Sequence, residues 1–166
     1  GGGPKKRGAP HPSAGGRGRG AVRDAHKGVP PSPAPPPAAA AGRPARPAAR
    51  LDPSDVDHVN AHATSTPVGD QAEAKILESV FGDHVRNVSV SSTKSMTGHL
   101  LTAAAAFEAL ACVAAIERQA VPPTINLHAP DPECRLNHVP NQAQERRVKV
   151  TASNSFGFGG SNTCLV

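Results

Sequence analysis

The chain has 166 residues and a formal net charge of +5, enough for one modest domain, but its composition divides near Leu51 so sharply that the averages describe neither part. Residues 1–50 hold 11 of the 18 prolines and 10 of the 16 glycines, with Val22 and Val29 as the only large aliphatic side chains, and ten Lys/Arg against the single acid Asp24. That composition excludes a hydrophobic core there and leaves residues 51–166, with eight Lys/Arg against twelve Asp/Glu, to carry the fold.

In chain order, residues 1–50 read as a disordered Gly/Pro/Ala/Arg-rich segment, a linker in character. The Arg-rich, acid-poor balance also suits organelle targeting, although the prolines spoil an amphipathic helix. Nucleic-acid binding has only this charge in its favour, without aromatic interleaving or a recognised fold. Beyond it, Val56-Asp57-His58-Val59-Asn60 alternates apolar and polar and predicts a short strand that delivers His62 into a loop, where Thr64 to Gly69 break the pattern. From Asp70 the residues Ala74, Ile76, Leu77, Val80 and Phe81 recur at helical spacing, and Gly82 stands at the place of a C-terminal cap.

Val88 to Ser91 predicts a second strand, followed by a loop from Thr93 to Gly98 and an alanine-rich helix from about His99 to Arg118. Glu108 is the only acid between His99 and Glu117, so this helix is apolar nearly all round and calls for neighbours on both faces. Within about 115 residues that cover is expected from a second sheet outside this chain. Residues 119–146, with five prolines, read as an extended excursion, and Val148–Ala152 and Thr163–Val166 as two closing strands with Asn154–Asn162 as the turn between them. The order is that of a mixed α/β fold, a sheet layered with helices.

Cys112, Cys134 and Cys164 are odd in number and lack C-x-x-C spacing, which indicates neither a disulfide framework nor a cysteine zinc site, and a reducing, cytoplasmic setting is the default. The apolar run from Leu100 is broken by Thr102 and Glu108 and is a poor membrane span. Cys112 and Cys164 fall where a thiol is usually a small core group, and Cys134 in the excursion, so none reads as a nucleophile.

Three polar or glycine-bearing loops stand at the ends of predicted strands, where α/β proteins place their sites: His62-Ala63-Thr64-Ser65-Thr66-Pro67, Lys94-Ser95-Met96-Thr97-Gly98-His99 and Asn154-Ser155-Phe156-Gly157-Phe158-Gly159-Gly160. Either histidine alone is more often structural than functional. Together, H-x-T-S-T-P-x-G-D from His62, S-S-T-K-S-M-T-G-H-L-L from Ser91, P-P-T-I-N-L from Pro122 and N-S-F-G-F-G-G-S-N from Asn154 resemble the β-ketoacyl-acyl-carrier-protein synthases of the dissociated fatty-acid type, members of the thiolase superfamily. The resemblance covers roughly residues 54–166. It implies the C-terminal half of a thiolase-like layered α/β/α/β/α fold, preceded by the disordered segment.

The family performs a decarboxylative Claisen condensation of malonyl-ACP with an enzyme-bound acyl chain in fatty acid biosynthesis, without metal or redox cofactor. The resemblance therefore implies an acyltransferase, a homodimer when complete, whose partner is acyl carrier protein bearing malonyl and acyl groups on phosphopantetheine, with no membrane or nucleic acid involved. His62 and His99 match the family's two histidines, hydrogen-bond donors to the oxygen on which charge develops. A helix N-terminus at His99 would tend to keep that ring unprotonated. Lys94 and Glu108 match a pair expected to orient His99. Thr64 and Thr66 match residues lining the pantetheine passage. Phe158 matches a backbone N–H of the oxyanion hole, and Phe156 a residue of a gating loop.

The resemblance departs from the family in three respects. The family's nucleophilic cysteine lies in an N-terminal half with no counterpart here, so the chain by itself is expected to be inactive in condensation. Ala63 replaces a glycine usual after the first histidine, and would be strained by about 1 kcal/mol or more if that position needs a positive φ. Thr102 and Ala105 stand where glycines are usual. A polyketide ketosynthase shares the two-histidine plan, and a non-catalytic partner of chain-length-factor type is the alternative from another class; Ser65-Thr66-Pro67, Met96-Thr97 and Leu100-Leu101 look more like fatty-acid synthase II.

Overall fold

The computed structural model describes residues 19–23, 51–158 and 160–166. Its strands are β1 (Arg19–Arg23), β2 (His58–Asn60), β3 (Ser89–Ser91), β4 (Ala120–Val121), β5 (Asn137–His138), β6 (Gln144–Glu145), β7 (Thr151–Gly157) and β8 (Ser161–Leu165); its helices are α1 (Pro67–Phe81), α2 (Lys94–Thr97) and α3 (Ala104–Arg118). Six strands form one sheet in the order β1-β8-β7-β2-β3-β5, and β4 and β6 pair separately within the proline-rich excursion. The centre of the sheet is parallel, with β2 between β3 and β7, whereas β8 runs antiparallel to both its neighbours. Strand β1 falls within residues 1–50; the rest of that segment, with its readings as disorder, targeting or a basic binding arm, lies outside the described residues.

The alternation that predicts β2 sends Val59 to one face with Val90 and Ala152, where Leu77 and Phe81 of α1 complete an apolar core. The other face carries His58, Asn60, Ser89, Ser91, Thr151 and Ser153, all buried. Helix α3 covers it, with Cys112 reaching Thr151. The sheet therefore lies between α1 and α3. Its polar face is tolerated because part of it is internally bonded: Asn60 Nδ2 donates to Thr93 Oγ1 at 3.0 Å, and His58 Nδ1 donates to the Ser89 carbonyl at 3.1 Å.

Three expected boundaries are corrected. Helix α1 starts at Pro67, with Thr66 as its N-cap, instead of at Asp70, because a proline at the first helical position has its ring angle already set and has no N–H to leave unbonded. Helix α3 starts at Ala104, so His99 is not at a helix N-terminus; a 3-10 turn over Leu101–Ala103 and positive φ angles at Gly98 and Leu101 intervene. Asn154–Asn162 is mostly strand, since β7 and β8 pair Asn154 with Cys164, Phe156 with Asn162 and Gly157 with Ser161. Ladder pairing overrode a polar, glycine-rich composition that resembles a turn.

Within this chain α3 buries a single stripe, Ala104, Glu108, Cys112 and Ala115. Its far side carries Phe107 and Leu110, exposed at 43% and 66%, and no cover for it exists among the described residues. No helix among the described residues is long and apolar enough to cross a membrane.

Candidate functional site

The three loops converge at the C-terminal ends of β2, β3 and β7, where parallel strands release their chains on one side of the sheet. Between them lies a cavity of about 650 Å³ whose wall includes His62, Thr64, Thr66, Asp70, Glu73, His99, Leu101, Phe156 and Phe158. The volume is that of a small-molecule site. The rings of His62 and His99 meet edge to face with centroids 5.7 Å apart, and Phe156 packs on His62 at 5.3 Å.

His62 is held from behind by a residue that sequence reading missed. The carboxylate of Glu73, buried in α1, accepts the His62 N–H at 2.9 Å on Oε1 and the Ala63 N–H at 2.8 Å on Oε2, while Asn154 Nδ2 donates to Oε1 at 3.0 Å. Burial pushes the Glu73 carboxyl up, and these donors together with the Lys94 charge pull it back. A signal for Glu73 was present: it lies 3, 4 and 7 residues before Ile76, Leu77 and Val80, on the apolar stripe of α1. An acid in that stripe needs a buried partner.

Burial, then the charges of Lys94 and His99, lower His62 to about 4, so its imidazole is neutral near pH 7. Its Nδ1 is buried with no partner among the described residues. His99 is exposed in this chain, and its Nδ1 accepts the Leu101 N–H at 3.0 Å. That bond needs a lone pair on Nδ1, so the proton of the neutral ring resides on Nε2.

Lys94 Nζ donates to Glu108 Oε1 in a buried ion pair, and Oε2 of Glu108 is buried without a partner among the described residues. Burial pushes Glu108 up; the bond and charge of Lys94, then the charge of His99, oppose it. The hydrogen bond that fixes the His99 ring comes from Leu101, while the ion pair acts through its field: the Lys94 charge helps keep His62 neutral. Thr64 and Thr66 share a hydroxyl bond of 3.2 Å at the cavity wall, and Asp70 Oδ1 accepts the Thr66 N–H at 3.3 Å. Phe156 stands inside the cavity and Phe158 at its rim, 82% exposed; Gly159 is outside the described residues.

Ala63 does not adopt a positive φ, which removes the expected strain there. Thr102 and Ala105 both line the cavity. No cysteine does, among the described residues. Burial pushes the Cys112 thiol up to about 11, and burial and then surrounding carboxylates raise Cys134, so these two lack the activation a nucleophile needs, while Cys164 is buried in β8.

Residues 14–128 match the family described as Beta-ketoacyl synthase, C-terminal domain, a span that begins inside the Gly/Pro-rich segment. The 3-oxoacyl-[acyl-carrier-protein] synthase 2 of Coxiella burnetii is 52% identical over 118 residues, 71% of this chain and 28% of that protein. Among solved structures, the ishigamide ketosynthase/chain length factor superposes with a TM-score of 0.85 at 36% identity, covering 90% of this chain and 36% of that one. A type II polyketide acyl-carrier protein in complex with its ketosynthase, bound to a hexaketide, gives 0.86 at 34% identity over the same shares. The chain thus spans about 28% of the length of that curated relative.

Proposed function

This chain belongs to the β-ketoacyl synthases through their C-terminal domain, and from that premise we propose that it supplies the two-histidine half of a 3-oxoacyl-ACP synthase of the fatty-acid type. The observation that carries the reading is the edge-to-face pair of His62 and His99 in one cavity, with His62 held neutral and Nε2 of His99 protonated.

Malonyl thioester enters with its carbonyl oxygen toward the histidine N–H groups. The bond to the carboxylate breaks, CO₂ leaves, and the electron pair moves through the α-carbon to form an enolate whose oxygen the imidazoles stabilise. The enolate carbon attacks an acyl thioester, a carbon–carbon bond forms, and the thiolate that carried the acyl group leaves. Neutral donors suit the early step, because an imidazolium would bind the departing carboxylate as readily as the enolate oxygen. That thiol comes from outside this chain, since the cavity wall holds no cysteine among the described residues.

The partner is acyl carrier protein, whose phosphopantetheine arm passes Thr64 and Thr66; the complex between such a carrier and its ketosynthase in the similar structure supports this. Phe158 contributes a backbone N–H at the rim and Phe156 gates entry. The complete protein is a homodimer in the cytoplasm. A non-catalytic partner of chain-length-factor type is the second reading, and the similarity to a ketosynthase/chain length factor structure is its support.

The test uses the chain alone and mixed with a separately expressed nucleophile-bearing half from a relative, with CO₂ release from malonyl-ACP and 3-oxoacyl-ACP as readouts. The chain alone is expected to give no condensation product, and the mixture to give it. His62→Asn and His99→Ala are expected to lower CO₂ release at least about a hundredfold. Condensation that survives both substitutions would overturn the reading in favour of the non-catalytic partner.

A further inference from the structure

Of the four sequence motifs, P-P-T-I-N-L from Pro122 contributes no residue to the cavity wall among the described residues. Its threonine is placed where the sheet ends. Val90 of β3 pairs with His138 of β5, and its carbonyl accepts the Val139 N–H at 3.2 Å. In a continuing parallel ladder the next bonds of β3 belong to Ser92, whose N–H would donate to the Val139 carbonyl and whose carbonyl would accept the Asn141 N–H. Thr124 takes both places: its N–H donates to the Val139 carbonyl at 2.8 Å, and its carbonyl accepts the Asn141 N–H at 2.9 Å. It forms a wedge between the two chains, and Ser92, 4% exposed, is displaced from β5 with its main-chain groups in need of other partners.

The wedge supplies them. Thr124 Oγ1 accepts the Ser92 N–H at 2.9 Å, and Ser95 Oγ, which accepts the Ile125 N–H at 2.9 Å, donates to the Ser92 carbonyl at 2.9 Å. Held in this way, Ser92 turns its own hydroxyl to the Ala63 carbonyl at 3.2 Å. Glu73 accepts the N–H of the same alanine, so the residue directly after His62 is fixed at both its polar groups. Ser92 also stands two residues before Lys94, at the head of the turn that leads through Gly98 to His99. We propose that Thr124 is a positioning residue for the histidine pair: through Ser92, its hydroxyl sets the loop of His62 against the loop of His99 and so fixes the spacing of the two rings. Its meaning for catalysis rests on the condensation reading, whereas the geometry is measured on the chain by itself.

Thr124→Val keeps the shape of the side chain and removes the acceptor, while Thr124→Ser keeps the acceptor and removes a methyl group. In the full chain, Thr124→Val is expected to speed hydrogen exchange of the Ser92 amide by about tenfold or more, since a buried N–H loses its partner. The ring resonances of both His62 and His99 are expected to shift, while the amide signals of α1 and the β7-β8 hairpin keep their places. In the mixture with the nucleophile-bearing half, kcat for CO₂ release from malonyl-ACP is expected to fall about tenfold at unchanged KM, because Thr124 acts only on the alignment of the donors. Thr124→Ser is expected to restore all of these. Should Thr124→Val fail to fold, Ser92→Ala, which removes only the hydroxyl bond to Ala63, decides through the His62 ring, whose resonances are expected to shift. Ring resonances that stay at their wild-type positions in Thr124→Val or in Ser92→Ala would overturn the proposal, as would a loss in Thr124→Ser equal to that in Thr124→Val. Ring shifts in Thr124→Val with no CO₂ release in any mixture, wild type included, would support the positioning role and count against the condensation reading.

Discussion

Glu73 spends both carboxylate oxygens on main-chain N–H groups at the residues that begin the first histidine loop, and shares one of them with Asn154 from β7. One buried side chain therefore ties α1, the β2 loop and β7 together directly behind His62. Glu73→Gln offers one acceptor and one donor in place of two acceptors, which leaves the His62 or Ala63 N–H facing an NH₂ group. The expected loss is about 1–3 kcal/mol in urea unfolding, with a change in the His62 ring resonances. Unchanged unfolding and unchanged His62 signals would show that water replaces the carboxylate without cost. The contrast with His62 itself shows what a sequence exposes at this scale. Both histidines, Lys94 and Glu108 were legible because their flanking motifs are specific, whereas Glu73 works through the backbone N–H groups of His62 and Ala63.

Helix α1 shows the same limit for an element. Its apolar spacing and its stop at Gly82 were readable, and the stop is a backbone necessity: Gly82 sits at φ 55° and ψ −134°, a region that residues with a Cβ scarcely enter, while its N–H closes on the Glu78 carbonyl. An added Cβ would meet nothing within 4 Å. Gly82→Ala is accordingly a test of backbone strain alone, with an expected cost of about 1–3 kcal/mol, measured by thermal or urea unfolding. A loss near zero would mean that the turn to β3 re-forms at another angle. The start of α1 is hidden in the sequence because Pro67 and Gly69 punctuate loops and first helical turns alike, and the distinction lies in whether Thr66 is followed by a packed turn. The start of α3 is hidden for the opposite reason: alanine, leucine and threonine favour no particular start, and no side-chain hydrogen bond caps it. The β7-β8 hairpin is longer than its composition suggests because Asn154 and Ser155 look like loop residues until their ladder partners are known.

At the scale of the whole molecule, the sheet has one apolar face and one polar face, and acid stability depends on the polar one. His58 is fully buried there, donates from Nδ1 to the Ser89 carbonyl, and keeps Nε2 without a partner among the described residues. Burial is the main cause that lowers it from 6.5 to about 4; the bond to Ser89 opposes this and the Arg146 charge adds to it. The sign follows from counting protons. Above pH 6.5 the ring is neutral in both states and does not affect the balance. As the pH falls from there toward 4, the unfolded chain takes up a proton that the folded chain refuses, so stability is lost through that window, by on the order of 3 kcal/mol at its lower end. His62 is lowered in the same way and acts in the same direction, with a smaller effect because the ring is part-exposed. Asp70, Glu73 and Glu108 are all pushed up, and proton uptake by these carboxyls favours the folded state, which blunts the net slope. The decisive comparison is therefore with His58→Asn, which can still donate to the Ser89 carbonyl but does not titrate. Urea midpoints measured from pH 7 to pH 4.5 are expected to fall more steeply in the wild type than in His58→Asn. Parallel slopes would assign the acid sensitivity to other groups and show that the buried histidine finds a proton acceptor as the sheet loosens.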